Sequence, residues 1–203
     1  MDQAAATAQK AIELNPWDGE AVTLFAEIQL NRGQVANAIG AWEQWLKTHP
    51  NDASAIAILG TLEESRGDVV KAEAYYKKSL QIQPQQPVAS NNLAYRMLQN
   101  GENVDVALTL AQSARQAMPN SPSTADTLAW AYYYKGTYSF ARDLLEDALK
   151  TSPNDPAMQY HLGMVYSKLK DKSNAVTHLK KALSLAPNSP TAKDAQAALQ
   201  GLG

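Results

Sequence analysis

Six prolines constrain what this chain can fold into: Pro16, Pro50, Pro84, Pro119, Pro153 and Pro187 follow one another at spacings of 34, 34, 35, 34 and 34 residues. Self-similarity at such a period marks a stacked-repeat architecture, in which each repeat is one supersecondary unit that buries its apolar face only against its neighbours. A second register, Gly33, Gly67, Gly101 and Gly136, falls between successive prolines, where a helix stops and the chain reverses. A third comprises Ala38, Ala72, Ala107, Ala141 and Ala175. Alanine follows glycine by five residues except in the third repeat, where it follows by six; the extra residue, within Glu102 to Val106, accounts for the 35-residue spacing. Lys170 stands at the glycine place of the last repeat, which predicts a strained or differently shaped turn.

Between these markers the apolar residues recur with helical period. Ala125, Leu128, Ala129 and Tyr132 fall at i, i+3, i+4 and i+7, and Ala141, Leu144, Leu145 and Ala148 repeat the pattern beyond Gly136. Each repeat is therefore predicted as two short amphipathic helices. First helices are expected near 18–32, 53–66, 87–100, 122–135 and 156–169, and second helices near 35–48, 69–82, 104–117, 138–151 and 172–185. Asp2 to Asn15 reads as a second helix without a first, and Pro190 to Gln200 as a last helix whose apolar-equivalent sites are Lys193, Gln196 and Gln200. The expected organisation is one domain over 1–203: a leading half-repeat at 1–16, full repeats at 17–50, 51–84, 85–119, 120–153 and 154–187, and a polar capping helix at 188–203, about twelve helices in all. A start in mid-repeat is the pattern of a C-terminal fragment of a longer protein.

Charge and composition narrow the function classes. Eighteen basic residues face twenty acidic ones, and no Lys/Arg run or basic-aromatic motif occurs, so no nucleic-acid partner is expected. Apolar stretches such as Ala53 to Leu62 fall short of the roughly 20 residues of a membrane span, so no direct membrane insertion is expected of this segment. Met1 to Ala11 has no basic start with an apolar core. The absence of cysteine removes disulfides and thiolate metal sites and is compatible with either a cytoplasmic or a periplasmic, envelope-associated location.

The residues Leu162-Gly163-x2-Tyr166, then Ala175-x3-Leu179, Ala182 and Pro187, resemble the tetratricopeptide (TPR) signature, and Leu128-Ala129-x2-Tyr132, Ala141-x3-Leu145, Ala148 and Pro153 match it as well. Earlier repeats depart from it: Leu59-Gly60 and Ala72-x3-Tyr76 are intact, but Ser79 stands at the small-residue site of the second repeat and Trp45 at that of the first. The resemblance implies an all-α fold, a right-handed α-α superhelix of TPR helix pairs. It also implies a protein-interaction scaffold with a concave groove that holds extended peptides. The stretches Asn91 to Tyr95 and Asp126 to Trp130 look like those of bacterial multi-repeat proteins, many of them tied to the cell envelope and to export.

In such an array one side of each first helix is used for stacking, and the opposite side, read at about 100° per residue, is the expected ligand face. In the first two repeats it carries Glu20, Thr23, Leu24, Glu27 and Asn31, then Ser54, Ala57, Ile58, Thr61 and Glu64. Glu20, Glu27 and Glu64 make a secondary acidic groove. Farther on the face carries Asn91, Asn92 and Tyr95, then Asp126, Thr127, Trp130 and Tyr133, then Tyr160, His161, Met164 and Lys168, the predicted peptide-binding groove. Asn donates and accepts, so it can hold a backbone of any sequence, while the rings supply rigid contact area. The expected ligand is apolar or aromatic toward one terminus and basic toward the other. The alternative for Trp130, Tyr133 and Tyr134 is that the rings pack on a neighbouring helix. The carboxylate clamp of heat-shock co-chaperones is not expected, because Thr23, Ser54, Ala57, Val88, Ser123 and Thr127 stand where its cations would fall.

No catalytic residue, metal site or cofactor is expected. His49 lies in an inter-repeat turn, His178 on a second helix and His161 on the groove face, separated by whole repeats. Gly-x-Ser-x-Gly, Walker-type and Gly-x-Gly-x-x-Gly patterns are missing. Three readings follow: a non-catalytic scaffold that binds a protein or peptide, a targeting or regulatory segment of a larger enzyme or envelope export machine, and a structural array that self-associates through open repeat ends.

Overall fold

A computed structural model describes residues 2–202. Among the described residues there are twelve α-helices and no strand: α1 (Asp2–Leu14), α2 (Gly19–Asn31), α3 (Val35–Thr48), α4 (Ala53–Ser65), α5 (Val69–Ile82), α6 (Pro87–Gln99), α7 (Val104–Ala117), α8 (Pro122–Tyr134), α9 (Tyr138–Thr151), α10 (Pro156–Lys168), α11 (Lys172–Leu185) and α12 (Ala192–Gly201). The second helices occupy the predicted ranges, and α4, α6, α8 and α10 each stop one residue earlier than expected. The chain divides within α6 into two compact units, Met1–Leu93 and Ala94–Gly203.

Helix starts are set by short polar side chains that satisfy the first free N–H groups. Asp18 accepts from Glu20 and Ala21, Asp52 from Ser54 and Ala55, Asn103 from Asp105 and Val106, and Asp155 from Met158. Pro122 and Pro156 open α8 and α10, where the missing N–H has no intrahelical partner to lose. The turn between the helices of each pair repeats one hydrogen-bond pattern. At Gly136 the glycine N–H donates to Tyr133 O at 3.0 Å and the next N–H, of Thr137, to Tyr132 O at 3.0 Å. At Lys170 the same two bonds run to Ser167 O at 3.1 Å and from Asp171 to Tyr166 O at 3.0 Å. This is the Schellman stop, which needs a left-handed residue at its centre. Gly136 has φ 77° and Lys170 has φ 62°. The expected anomaly at Lys170 therefore resolves as an ordinary turn shape carried by a strained residue, not as a different turn.

The signature positions form the core of each unit. In the first, Val22, Ala26, Ala38, Ile39, Trp42, Ala55, Leu59 and Leu62 pack together, and Tyr76 is 0% exposed. In the second, Ala129, Ala141, Leu145, Ala148, Leu162 and Val165 form one cluster. A Cβ at Gly163 would lie 2.7 Å from Leu179 Cγ, so the small residue of the signature is what lets α11 approach α10. Complete burial of each Leu contributes about 1.5–3 kcal/mol, so these sites outweigh helix propensity in holding the pairs together. In α12, Ala192 and Ala195 are buried while Lys193, Gln196 and Gln200 are exposed.

The two departures from the small-residue site have separate solutions. Ser79 is fully buried and its hydroxyl donates to Ala53 O at 2.7 Å, so no polar group is stranded. Trp45 lies over Gly19, where a Cβ would stand 3.3 Å from the indole Cη2. Its Nε1 donates to Asp52 Oδ2 at 2.8 Å, and its ring stacks on His49 at 3.7 Å. The indole thus ties the end of one repeat to the residue that caps the next helix.

Candidate functional site

In the first unit the predicted face is organised around Tyr76, a second-helix residue. Its hydroxyl donates to Glu64 Oε2 at 2.8 Å and accepts from Asn92 Nδ2 at 3.1 Å. Asn92 Nδ2 also donates to Thr61 Oγ1 at 3.2 Å, and its Oδ1 accepts from Asn91 Nδ2 at 3.1 Å. The Asn92 amide is therefore fixed in orientation by neighbours on α4, α5 and α6. Burial, reinforced by the Glu64 carboxylate, pushes the Tyr76 phenol up to about 12. Glu20 and Glu27 are exposed and Glu64 is half-buried, and none of the three makes an ion pair among the described residues. Asn91 is buried.

In the second unit the aromatic residues pack as one group. Trp130 stacks on Tyr133 at 4.4 Å and on His161 at 4.0 Å, and Tyr160 tilts against it at 6.1 Å. Tyr134 meets the indole edge-on at 5.4 Å, and Tyr95 lies 6.2 Å from His161. His161 is 0% exposed, and its Nδ1 stands 2.7 Å from Asp126 Oδ1. Asp126, Thr127, Trp130 and Tyr160 are also buried; Tyr95, Tyr133 and Met164 are half-buried, and Lys168 is exposed. Burial raises the phenol pKa values of Tyr133, Tyr134 and Tyr160, and Asp194 nearby adds to the shift at Tyr134 and Tyr160. Two polar atoms of this group, Trp130 Nε1 and His161 Nε2, are buried without a hydrogen-bond partner.

Sequence position alone placed these side chains on an open face; packing turns many of them inward onto one another. Tyr76 was missed because its site reads as a core position, although an aromatic residue with a hydroxyl there signals a polar end in need of a partner. The Asp126–His161 contact joins residues one repeat plus one position apart, a spacing that identifies neighbours on successive first helices.

Elsewhere in the first unit a cleft of about 430 Å³, lined by Ile12, Val22, Phe25, Gly40, Trp45 and others, includes none of the predicted groove residues. Among the described residues, no three His, Cys, Asp or Glu side chains are grouped to hold a metal ion, and no helix is long and apolar enough to cross a membrane.

A tetratricopeptide repeat model matches residues 23–87, and a model of subunit 3 of the anaphase-promoting complex, or cyclosome, matches residues 100–182. The chain belongs to the tetratricopeptide repeat family. Solved TPR structures share its fold. A chain of the APC/C hetero-tetramer Cut9–Hcn1 is 24% identical with a TM-score of 0.78, over 99% of this chain and 39% of that one. This TPR chain thus spans well under two thirds of that relative's length. MamA from Desulfovibrio magneticus RS-1, residue 41 to its end, is 20% identical with a TM-score of 0.60, over 84% of this chain and 96% of that one. YrrB, described as a TPR protein with an unusual peptide-binding site, is 19% identical with a TM-score of 0.63, over 96% of this chain and 100% of that one. No curated protein sequence is a significant match. The fold class is accordingly the all-α, α-α superhelix class of TPR helix pairs.

Proposed function

We propose that this TPR chain is a non-catalytic scaffold that binds an extended segment of a partner protein along the exposed side of its first helices. The observation that supports the reading is the set of carboxylates at Glu20, Glu27 and Glu64, which helical register assigns to the groove side and which make no ion pair among the described residues. Exposed carboxylates with no cation beside them, as at Glu20 and Glu27, favour a ligand of the opposite sign and speed its capture. The amide of Asn92, fixed by Thr61 and by the Tyr76 hydroxyl that also bonds Glu64, lowers the ordering cost of a backbone contact, because its rotamer is already set. The description of YrrB as peptide-binding supports the same mode of use for this fold. The acidic side chains favour basic groups in the partner segment, and the rings of the second unit favour aromatic or apolar ones. Affinity for a linear peptide is expected at a Kd of about 1–100 μM, since such ligands lose conformational freedom on binding.

The test is selection from a peptide-display library with the wild type beside Asn92→Ala, Trp130→Ala and the triple variant Glu20→Gln, Glu27→Gln, Glu64→Gln. Selected peptides should be rich in Lys and Arg, and the triple variant should weaken them by about tenfold and flatten their salt dependence. If Asn92→Ala and Trp130→Ala, shown folded by circular dichroism, retain every ligand, the face is not the binding site.

A further inference from the structure

The second unit contains a matched pair of unpartnered groups on stacked rings. Asp126 Oδ1 lies 2.7 Å from His161 Nδ1, and in the neutral imidazole the nitrogen that faces the carboxylate is the one that carries the proton and donates it. In that tautomer His161 Nε2 has a lone pair and no donor, while Trp130 Nε1–H, on the ring stacked at 4.0 Å, is a donor with no acceptor. Burying either group unpaired costs about 1–3 kcal/mol, so a site that strands one of each sign is complementary to something that both accepts and donates.

In an extended chain the N–H and C=O of one residue point to the same side, as the exchanged bonds of a hydrogen-bonded strand pair require. We propose that Trp130 and His161 form a two-point subsite for one residue of an extended backbone, with its C=O accepting from Trp130 Nε1 and its N–H donating to His161 Nε2. The inference rests on the reading of this side of the first helices as a peptide site, and it locates a sequence-independent grip there. Asp126 acts through His161: it holds the tautomer that keeps Nε2 an acceptor. Tyr95, Tyr133 and Met164, all half-buried, pack against the same cluster. Met164 follows His161 by three residues on α10, and a thioether on three rotatable bonds can turn aside at small cost to admit a backbone.

The test uses N-acetylalanine methylamide as the probe and its alanine N-methylated analogue, which lacks the N–H, as the control. The indole 15N–1H resonances of the full chain are followed by NMR, with that of Trp130 assigned from Trp130→Phe and those of Trp17, Trp42 and Trp45 as internal references. The Trp130 resonance should move saturably with the probe and severalfold less with the N-methylated analogue. In His161→Gln, folded by the same spectra, the difference between the two compounds should vanish. A Trp130 resonance that stays still, that moves equally with both compounds, or that shows only a long-lived water contact overturns the proposal. Failure of the wider reading is distinguishable: library peptides that bind while the Trp130 indole stays still sink the subsite alone. A probe that moves Trp130 while no library peptide is selected sinks the extended groove alone.

Discussion

Lys170→Gly should stabilise this protein, and the size of the gain follows from the geometry of one turn. Lys170 has φ 62° and makes the same two backbone bonds as the glycine turn at Gly136. A left-handed conformation costs an L-residue about 1–2 kcal/mol, because Cβ crowds the following carbonyl. Glycine removes that cost but has more freedom in the unfolded chain, which returns about 0.5–1 kcal/mol. The lysine side chain is exposed and makes no ion pair among the described residues, so its loss subtracts nothing further. The net expectation is a gain of about 0.5–1 kcal/mol, read as a higher urea midpoint at unchanged m-value and a Tm higher by about 1–4 °C. Lys170→Ala is the control, since it deletes the side chain and keeps the Cβ. Hydrogen exchange of the Asp171 amide, which closes the turn on Tyr166 O, should slow in the glycine variant. A glycine variant no more stable than the alanine variant would refute the claim that backbone strain at this residue is the issue.

Gly60→Ala should lose about 1–3 kcal/mol in chemical denaturation, because the new Cβ would stand 2.5 Å from Cε1 of Tyr76, a ring that is 0% exposed and tethered through its hydroxyl. Gly40→Ala, also within a helix but with nothing within 4 Å of the added carbon, should instead gain up to about 1 kcal/mol, and equal behaviour of the two variants would remove packing as the explanation. Tyr76→Phe should cost about 1 kcal/mol at neutral pH through the lost bonds to Glu64 and Asn92. The folded phenol sits at about 12 against an ordinary 10.0, so its contribution is complete below pH 10 and is lost as pH rises through 12. The stability gap between wild type and Tyr76→Phe, measured by denaturation across that window, should therefore close; a constant gap would mean the phenol is not what titrates.

The proline, glycine and alanine registers were enough to place the helices, because each turn and cap is built from residues within a few positions of one another. Lys170 could be singled out for the same reason: a turn that wants a left-handed residue shows its misfit locally. The candidate site was legible only as a face. That Asn92 is locked by Tyr76 and Thr61, 16 and 31 residues away, depends on how three helices close on one another. Trp45 is the clearest case, since a large residue at a small-residue site looks like a fault until Gly19 is seen beneath it.

The sequence by itself determined the repeat period, the helix pairs, the turn positions and the core alternation, all of which follow from spacing along one dimension. Only the tertiary structure decided that His161 faces Asp126 across one repeat, that Trp130 lies between rings instead of open to solvent, and that two polar atoms remain unpaired there. Spacing tells which side of a helix a residue occupies. Whether its polar atoms find partners depends on rotamers and on the neighbouring helix, and these are fixed only when the repeats stack.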